Sequence, residues 1–435
     1  MIVIENATVL TLNDADDVHF GGHVVLVDNR ILSVGDGPFA GPVPASADRI
    51  DATGMIVMPG LVDLHYHTAV GKGLYDHVAL RESLERFWYP SIRALDADLA
   101  YGFALHGYAD SLLAGVTTVN DMYRRLPDLA RAADAAGIRA VLSNDVALAQ
   151  HRLDQLSDVK EAFESCHGSG DGRIEVFVGI EWLPLASPEL LQEAAELARA
   201  LDTGVHVHLN ESLDEVETVR RRFGARPTEL AFHAGLLGPK TVAAHCVWLS
   251  DHEIDLMRQT ATSISYNPIS NAKLGNGIAR VPDMIAAGIN VGLGHDAAES
   301  SNTHDLFEIM KFASLIQRAD RQNSMLIPAD QVVRMATQNG GRALGHESGQ
   351  LSPGQLADVI ILHTERAMFT PLLPGDKRHV YSHLAYAANS SIVDTTIVDG
   401  RILVRGGALV EHDYQELRQR ANEGLKILMK RIDLC

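Results

Sequence analysis

Apolar and polar positions alternate in two distinct ways along this chain. Over residues 1–57, short apolar and β-branched runs in "MIVIENATVLTL", "HVVLVDNRILSVG" and "ADRIDATGMIVMPG" are separated by turn residues and predict strands. No helix-length pattern interrupts them. The same texture returns in "LADVIILH" and "VDTTIVDGRILVRGGALV", where "VDGR" reads as a hairpin turn. Pairing of the two ends predicts a small β-sandwich domain made from 1–57 and 355–410. The apolar stretch "LRQRANEGLKILMKRI" predicts a C-terminal helix within 411–435, placed to cover the sheet or form an interface.

Between these ends, over 58–354, short apolar strands alternate with amphipathic helices, the pattern of repeated βα units and a parallel sheet. The predicted strands end at "HYH", "TTVND", "RAVLSND", "IEVFVGIEW", "VHVHLNE", "TVAAHC", "SISYNP" and "NVGLGHD". Eight is the number that closes a (β/α)8 TIM barrel. Helix start signals support the alternation. Ser187 precedes Pro188 as an N-cap and first helical residue, and Ser250 with Glu253 forms a capping box. An active site in such a barrel lies at the C-terminal ends of the strands.

Those strand ends are where histidines and carboxylates collect. His65 and His67 are two apart on a strand and leave from the same face, so both can reach one ion. His206, His208 and Glu211 follow the fifth strand, His245 the sixth, and His295 and Asp296 the eighth. Any one of them alone reads as a satisfied core histidine or a solvated carboxylate. Agreement across four strand ends predicts a metal site, and imidazole with carboxylate suits zinc or ferrous iron.

Composition narrows the partners. The chain has 435 residues, 46% of them hydrophobic and 21% charged, the balance of an ordinary globular protein large enough for more than one domain. A formal charge of -19 opposes nonspecific binding to nucleic acid or to an anionic membrane, which leaves a small-molecule substrate and other copies of the chain. Cys166, Cys246 and Cys435 are scattered without CxxC spacing, as expected in a reducing cytoplasm.

The stretches "MPGLVDLHYH", "HVHLNES", "AAHC", "SYNPISNAKLGNGIARV", "GLGHDAAESSNTHDLFEIMKFASLIQR" and "LSPGQLADVIIL" carry a resemblance. Together they are similar to the amidohydrolase superfamily, in its cytosine deaminase, adenosylhomocysteine deaminase and chlorohydrolase-like branch. The resemblance covers nearly the whole chain. It implies one divalent metal, Zn2+ or alternatively Fe2+, held by His65, His67, His208 and Asp296. It further implies Glu211 as proton shuttle and His245 as the residue that polarises substrate or attacking water, with Asp296 taking a proton during catalysis. His206 is then a packing or supporting residue, and His295 has no counterpart role. The implied activity is an aminohydrolase that releases ammonia from an amino-substituted nitrogen heterocycle or cyclic amidine by attack of metal-activated water. Hydrolytic displacement of chloride or alkylamine from a triazine-like ring, or a formimino or guanidino deiminase, is the alternative. A metal-free structural relative would lack these ligands, all of which are present here. Relatives in this branch are commonly dimers or larger, which implies a homo-oligomer.

One position departs from that pattern. Many deaminases of this branch place a histidine after the fourth strand, where this chain reads "GIEWLPLAS" and puts Glu181 and Trp182. Glu181 is read as an anionic partner for an amino, amidine or guanidine edge of the substrate, as a bridge to a second metal, or as part of a structural salt bridge. The segment "TAVGKGLYDHVALRESLERFWYPSIRALD" after the first strand is expected to form a substrate lid, with Lys72, Tyr75, Asp76, Phe87 and Trp88 as candidate contacts. Asn271 and Lys273 are expected to give polar support to a loop.

Overall fold

The computed structural model describes residues 1–68, 71–74 and 76–433. All eight expected barrel strands are present, parallel to their neighbours: Leu61–His67, Val116–Tyr123, Arg139–Asn144, Ile174–Ile180, Val205–Leu209, Thr241–His245, Ser263–Tyr266 and Val291–Leu293. The eighth is split. Val291–Leu293 pairs with the seventh strand, and Asp296–Ala297 pairs with Tyr66 and His67 of the first, which closes the ring. The strands are buried on both faces, as with all eight residues of Val116–Tyr123, because helices cover the outside and side chains fill the interior.

The helices keep one apolar stripe for the barrel. Pro188–Ala200 buries Leu191, Ala194, Ala195, Leu197 and Ala198, and the Ser187 hydroxyl accepts the Leu190 N–H at its start. Ser250 and Glu253 make the reciprocal capping box in front of Asp251–Thr260. The C-terminal helix Tyr414–Arg431 packs against the helix Ala97–Leu113, with Leu417, Ala421 and Leu428 buried.

Strands from both chain ends join one nine-stranded sheet with its own core of Ile4, Val9, Val24, Leu26, Val57, Val359, Ile361 and Ile397. Met55–Pro59 pairs antiparallel with Val359–His363, and that pair links the two ends. The "VDGR" turn is a tight hairpin in which Asp399 and Gly400 both have positive φ, 53° and 73°. A Cβ on Gly400 would lie 1.8 Å from the Asp28 carbonyl, so only glycine fits.

Arg139, at the start of the third barrel strand, fastens the barrel to this sheet. Its guanidinium bonds Asp358 at 2.9 and 3.2 Å and Asp399 at 3.1 Å, and the arginine and Asp358 are buried. Arg139→Met would leave the buried Asp358 and the partly buried Asp399 without their cation and is expected to cost about 3–5 kcal/mol of unfolding free energy, read by denaturant titration. A loss under about 1 kcal/mol, the range of an exposed pair, would contradict this.

Candidate active site

The C-terminal ends of the strands converge on one buried cluster. His65 Nε2 and His67 Nε2 lie 3.4 and 3.3 Å from Asp296 Oδ1, and His67 Nε2 lies 3.1 Å from His208 Nε2. Among the described residues, the groups whose ligand atoms all lie within 4.8 Å of one another are His65–His67–Asp296 and His65–His208–His245.

The far sides of the His65 and His67 rings fix their orientation. His67 Nδ1 lies 2.6 Å from the Met122 carbonyl, so that nitrogen carries the proton and Nε2 offers its lone pair. His65 Nδ1 lies 2.9 Å from His206 Nε2, and His206 Nδ1 lies 3.1 Å from the Ser143 hydroxyl. His206 therefore stands behind His65. Burial lowers the pKa of His65, His67 and His208, so these rings are neutral. Asp296 lies well below the usual carboxylate range: burial would raise it, but the nearby His65 and the neighbouring rings outweigh that, and the Ser270 and Ser300 hydroxyls donate to Oδ2 at 2.5 and 2.9 Å.

These residues meet the chemical requirements of a divalent-metal site. Neutral imidazoles and one carboxylate crowd together, and the buried His65 Nε2 has no hydrogen-bond partner. The set is all nitrogen and oxygen, donors that zinc and ferrous iron both accept. The backbone at these strand ends is unusual too. His245 and Asp296 both have φ of 72° and Asn210 has 50°, left-handed values that tend to gather at functional sites.

Glu211 and His245 stand beside the cluster, with His245 Nε2 3.9 Å from Glu211 Oε1. Burial, then the nearby Asp296 charge, raises the Glu211 pKa well above the carboxylate range, which favours its protonated form. Asn276 Nδ2 donates to Glu211 Oε1 at 2.9 Å, and Asn271 Oδ1 holds His245 Nδ1 at 2.9 Å. Glu215 accepts the backbone N–H groups of Asn210 and Glu211 at 2.9 and 2.8 Å, which secures the loop that bears the acid.

His295 is turned away from the pocket and pairs with Asp63, Nδ1 to Oδ2 at 2.5 Å, while its backbone N–H reaches Oδ1 at 3.1 Å. That clasp holds the chain just before Asp296. Tyr66 faces the wall, packed against Tyr108, His295 and His304.

Glu181 is buried and lines the pocket. Its Oε2 has no hydrogen-bond partner, and neither does either carboxyl oxygen of the buried Asp145. Among the described residues its basic neighbour within 4.0 Å is His208, at 4.0 Å, and it belongs to neither ligand group. The geometry therefore gives no support to the salt bridge or the second metal. Burial, with the charges of Glu211 and Asp296, pushes Glu181 up to about 8, and burial with Glu181 itself raises Asp145 well above the carboxylate range. Burial and its acidic neighbours therefore shift Glu181 toward the protonated form, in which it both donates and accepts hydrogen bonds. Asp145 carried no sequence signal beyond ending the third strand.

The pocket mouth comes from the segment after the first strand. Leu80–Ser83, a π-helical turn Leu84–Trp88 and Tyr89–Arg93 run continuously, and the π turn points Phe87 and Trp88 inward. Leu74, Val78, Leu80, Leu84, Phe87, Trp88, Trp182 and Leu274 give the pocket its apolar lining. Trp88 meets His67 edge-on at 5.1 Å. Lys273 crosses to the lid, bonding Asp76 at 2.7 Å and the Glu299 carbonyl at 2.7 Å. Lys72 does not line the pocket; it lies 3.6 Å from Asp110 and 3.3 Å from His304 Nδ1. Tyr75, like Cys435, lies outside the described residues.

The model of the amidohydrolase family matches residues 56–403. A 5'-deoxyadenosine deaminase of Methanothermobacter thermautotrophicus is 40% identical over 409 residues, covering 92% of this chain and 94% of that protein. A 5-methylthioadenosine/S-adenosylhomocysteine deaminase of Acetivibrio thermocellus is 34% identical over 442 residues, covering 99% of this chain and all (100%) of that protein. Among solved structures, a zinc-bound adenosine deaminase from Xanthomonas campestris shares the fold with a TM-score of 0.90 at 24% identity, over 99% of this chain and 98% of that one. From the convergent strand ends and these matches together, the chain belongs to the amidohydrolase family.

Proposed function

We propose that this protein is a zinc-dependent aminohydrolase that removes the 6-amino group of an adenine nucleoside carrying an uncharged 5' position. The observation that carries the reading is the buried cluster of His65, His67, His208 and Asp296, with protonated Glu211 beside it, at the floor of an aromatic pocket. Relatives named as 5'-deoxyadenosine deaminases support the substrate class.

In this reading His65, His67, His208 and Asp296 hold the ion. A zinc ion held there would supply Lewis-acid activation of water, making it a nucleophile near neutral pH. Asp296, ionised and anchored through Oδ2 by Ser270 and Ser300, takes the proton that the attacking water loses. His245, its ring fixed by Asn271, stabilises charge that develops at the attacked carbon. Glu211 delivers its proton to the adjacent ring nitrogen, the departing amine takes the proton held by Asp296, and Glu211 regains a proton from the added hydroxyl as the carbonyl forms, so water and the aminopurine become the oxopurine and ammonia. Trp88 and Trp182 provide flat apolar walls for the base, and the unpartnered Glu181 oxygen meets a polar edge of the heterocycle.

The 5' preference follows from the mouth. Lys273 is the only lysine or arginine among the described lining residues, and it already bonds Asp76. An amino-acid tail on the 5' sulfur would bring a carboxylate against that apolar rim without a free cation. Ammonia release measured as kcat/KM on four nucleosides tests this. 5'-Deoxyadenosine and methylthioadenosine are expected to exceed S-adenosylhomocysteine by at least about tenfold, one decade being 1.4 kcal/mol of discrimination. A preference for S-adenosylhomocysteine would overturn the 5' assignment, and release from none of the four, adenosine included, would overturn the nucleoside assignment.

A further inference from the structure

The segment "NPISNAKLGNG" contacts the reaction centre in more ways than loop support requires. It forms the short helix Pro268–Lys273 and the turn that follows. Ser270 donates to Asp296 Oδ2 at 2.5 Å, Asn271 holds His245 Nδ1 at 2.9 Å, and Asn276 donates to Glu211 Oε1 at 2.9 Å. One stretch of backbone thus touches the proposed base, the polarising histidine and the acid.

The turn itself is tightly determined. Gly275 and Gly277 flank Asn276 with φ of 69° and 114°, conformations that favour glycine. The Asn276 N–H donates to the Asn271 carbonyl at 2.8 Å, and the Trp248 indole N–H donates to the Asn276 carbonyl at 2.6 Å. With both backbone groups committed and the residue buried, the Asn276 amide has little freedom other than to face Glu211.

We propose that Asn276 is a positioning residue for proton transfer: by donating to Oε1 of Glu211, it makes Oε2 the oxygen that carries and delivers the proton. A carboxyl group has two nearly equivalent oxygens, and a buried acid must present its proton on one particular side. An amide N–H repels a second proton from the oxygen that accepts it. Oε1 is also the oxygen nearer His245, so the same contact keeps the acid's proton away from that ring. This rests on Glu211 being the acid in the proposed function.

The test uses the metal-loaded full chain with 5'-deoxyadenosine. Asn276→Ala and the near-isosteric Asn276→Leu are expected to lower kcat by about 10²-fold, the scale of a misplaced catalytic group, with KM, metal content and melting temperature near wild type. A purely structural role would move the last two. The second readout is non-additivity: in a Glu211→Gln background, Asn276→Ala is expected to change the residual rate less than about twofold, because the two residues act as a unit. Wild-type kcat in both Asn276 variants, loss only in step with metal or melting temperature, or a full multiplicative loss in the double variant would each overturn the proposal. Wild-type turnover in Glu211→Gln would instead remove the acid assignment itself, and this proposal with it.

Discussion

Replacing Glu211 by glutamine is expected to lower kcat by about 10³-fold while the bound metal stays, since a positioned general acid contributes roughly 10²–10⁴. The physical case is specific. Glu211 is buried, and burial together with the charge of Asp296 raises its pKa and so favours the protonated form, the one that can donate. Its place is fixed at three points: the Asn276 amide on Oε1, Glu215 on its backbone N–H, and Ser212, whose hydroxyl caps the next helix by accepting the Glu215 N–H. Glutamine keeps the size and an oxygen for Asn276 to donate to, but has no proton to give. Glu211 is in neither group of close ligand atoms, so metal content measured on the same sample should not fall. Wild-type kcat in Glu211→Gln would refute the assignment.

Asp296→Ala and His208→Ala are expected to lose metal and turnover together. Asp296 is the one carboxylate in the cluster, and its Oδ1 faces both His65 and His67. Without it, neutral imidazoles alone must hold a doubly charged ion. Removing an outer hydrogen-bond partner of a ligand already costs roughly 10–100-fold in affinity, and removing a ligand should cost more. Metal content after dialysis against a weak chelator checks this, and stoichiometric metal in either variant would move the site elsewhere. The same assay on Ser270→Ala, which removes only a hydrogen bond to Asp296, should show the smaller loss.

The barrel was legible because its signals are local. Each strand is a short apolar run, each helix a stripe with its own cap, and a strand-end HxH places both rings on one face whatever lies around it. The partners of those side chains were not legible, because they come from other strand ends. Glu181 read as an anion from its own neighbourhood in sequence, yet burial and the charges of Glu211 and Asp296, which come from other strand ends, push its pKa upward. Lys72 read as a pocket residue because it follows the first strand, but Asp110 and His304 draw it outward. His295 had no role in sequence and proves to clasp Asp63 beside the ligand it precedes. Asn276 sat in a quoted motif without a role, since only the folded turn brings it to Glu211.

The most direct measurement is ammonia release from 5'-deoxyadenosine by protein of known metal content, before chelation, after chelation and after zinc is returned. The account predicts one ammonia per oxopurine nucleoside formed, loss of release when the metal is stripped, and recovery when zinc is added back at one ion per chain. Release that persists unchanged in the stripped protein, or no ammonia from protein holding its ion, would contradict it.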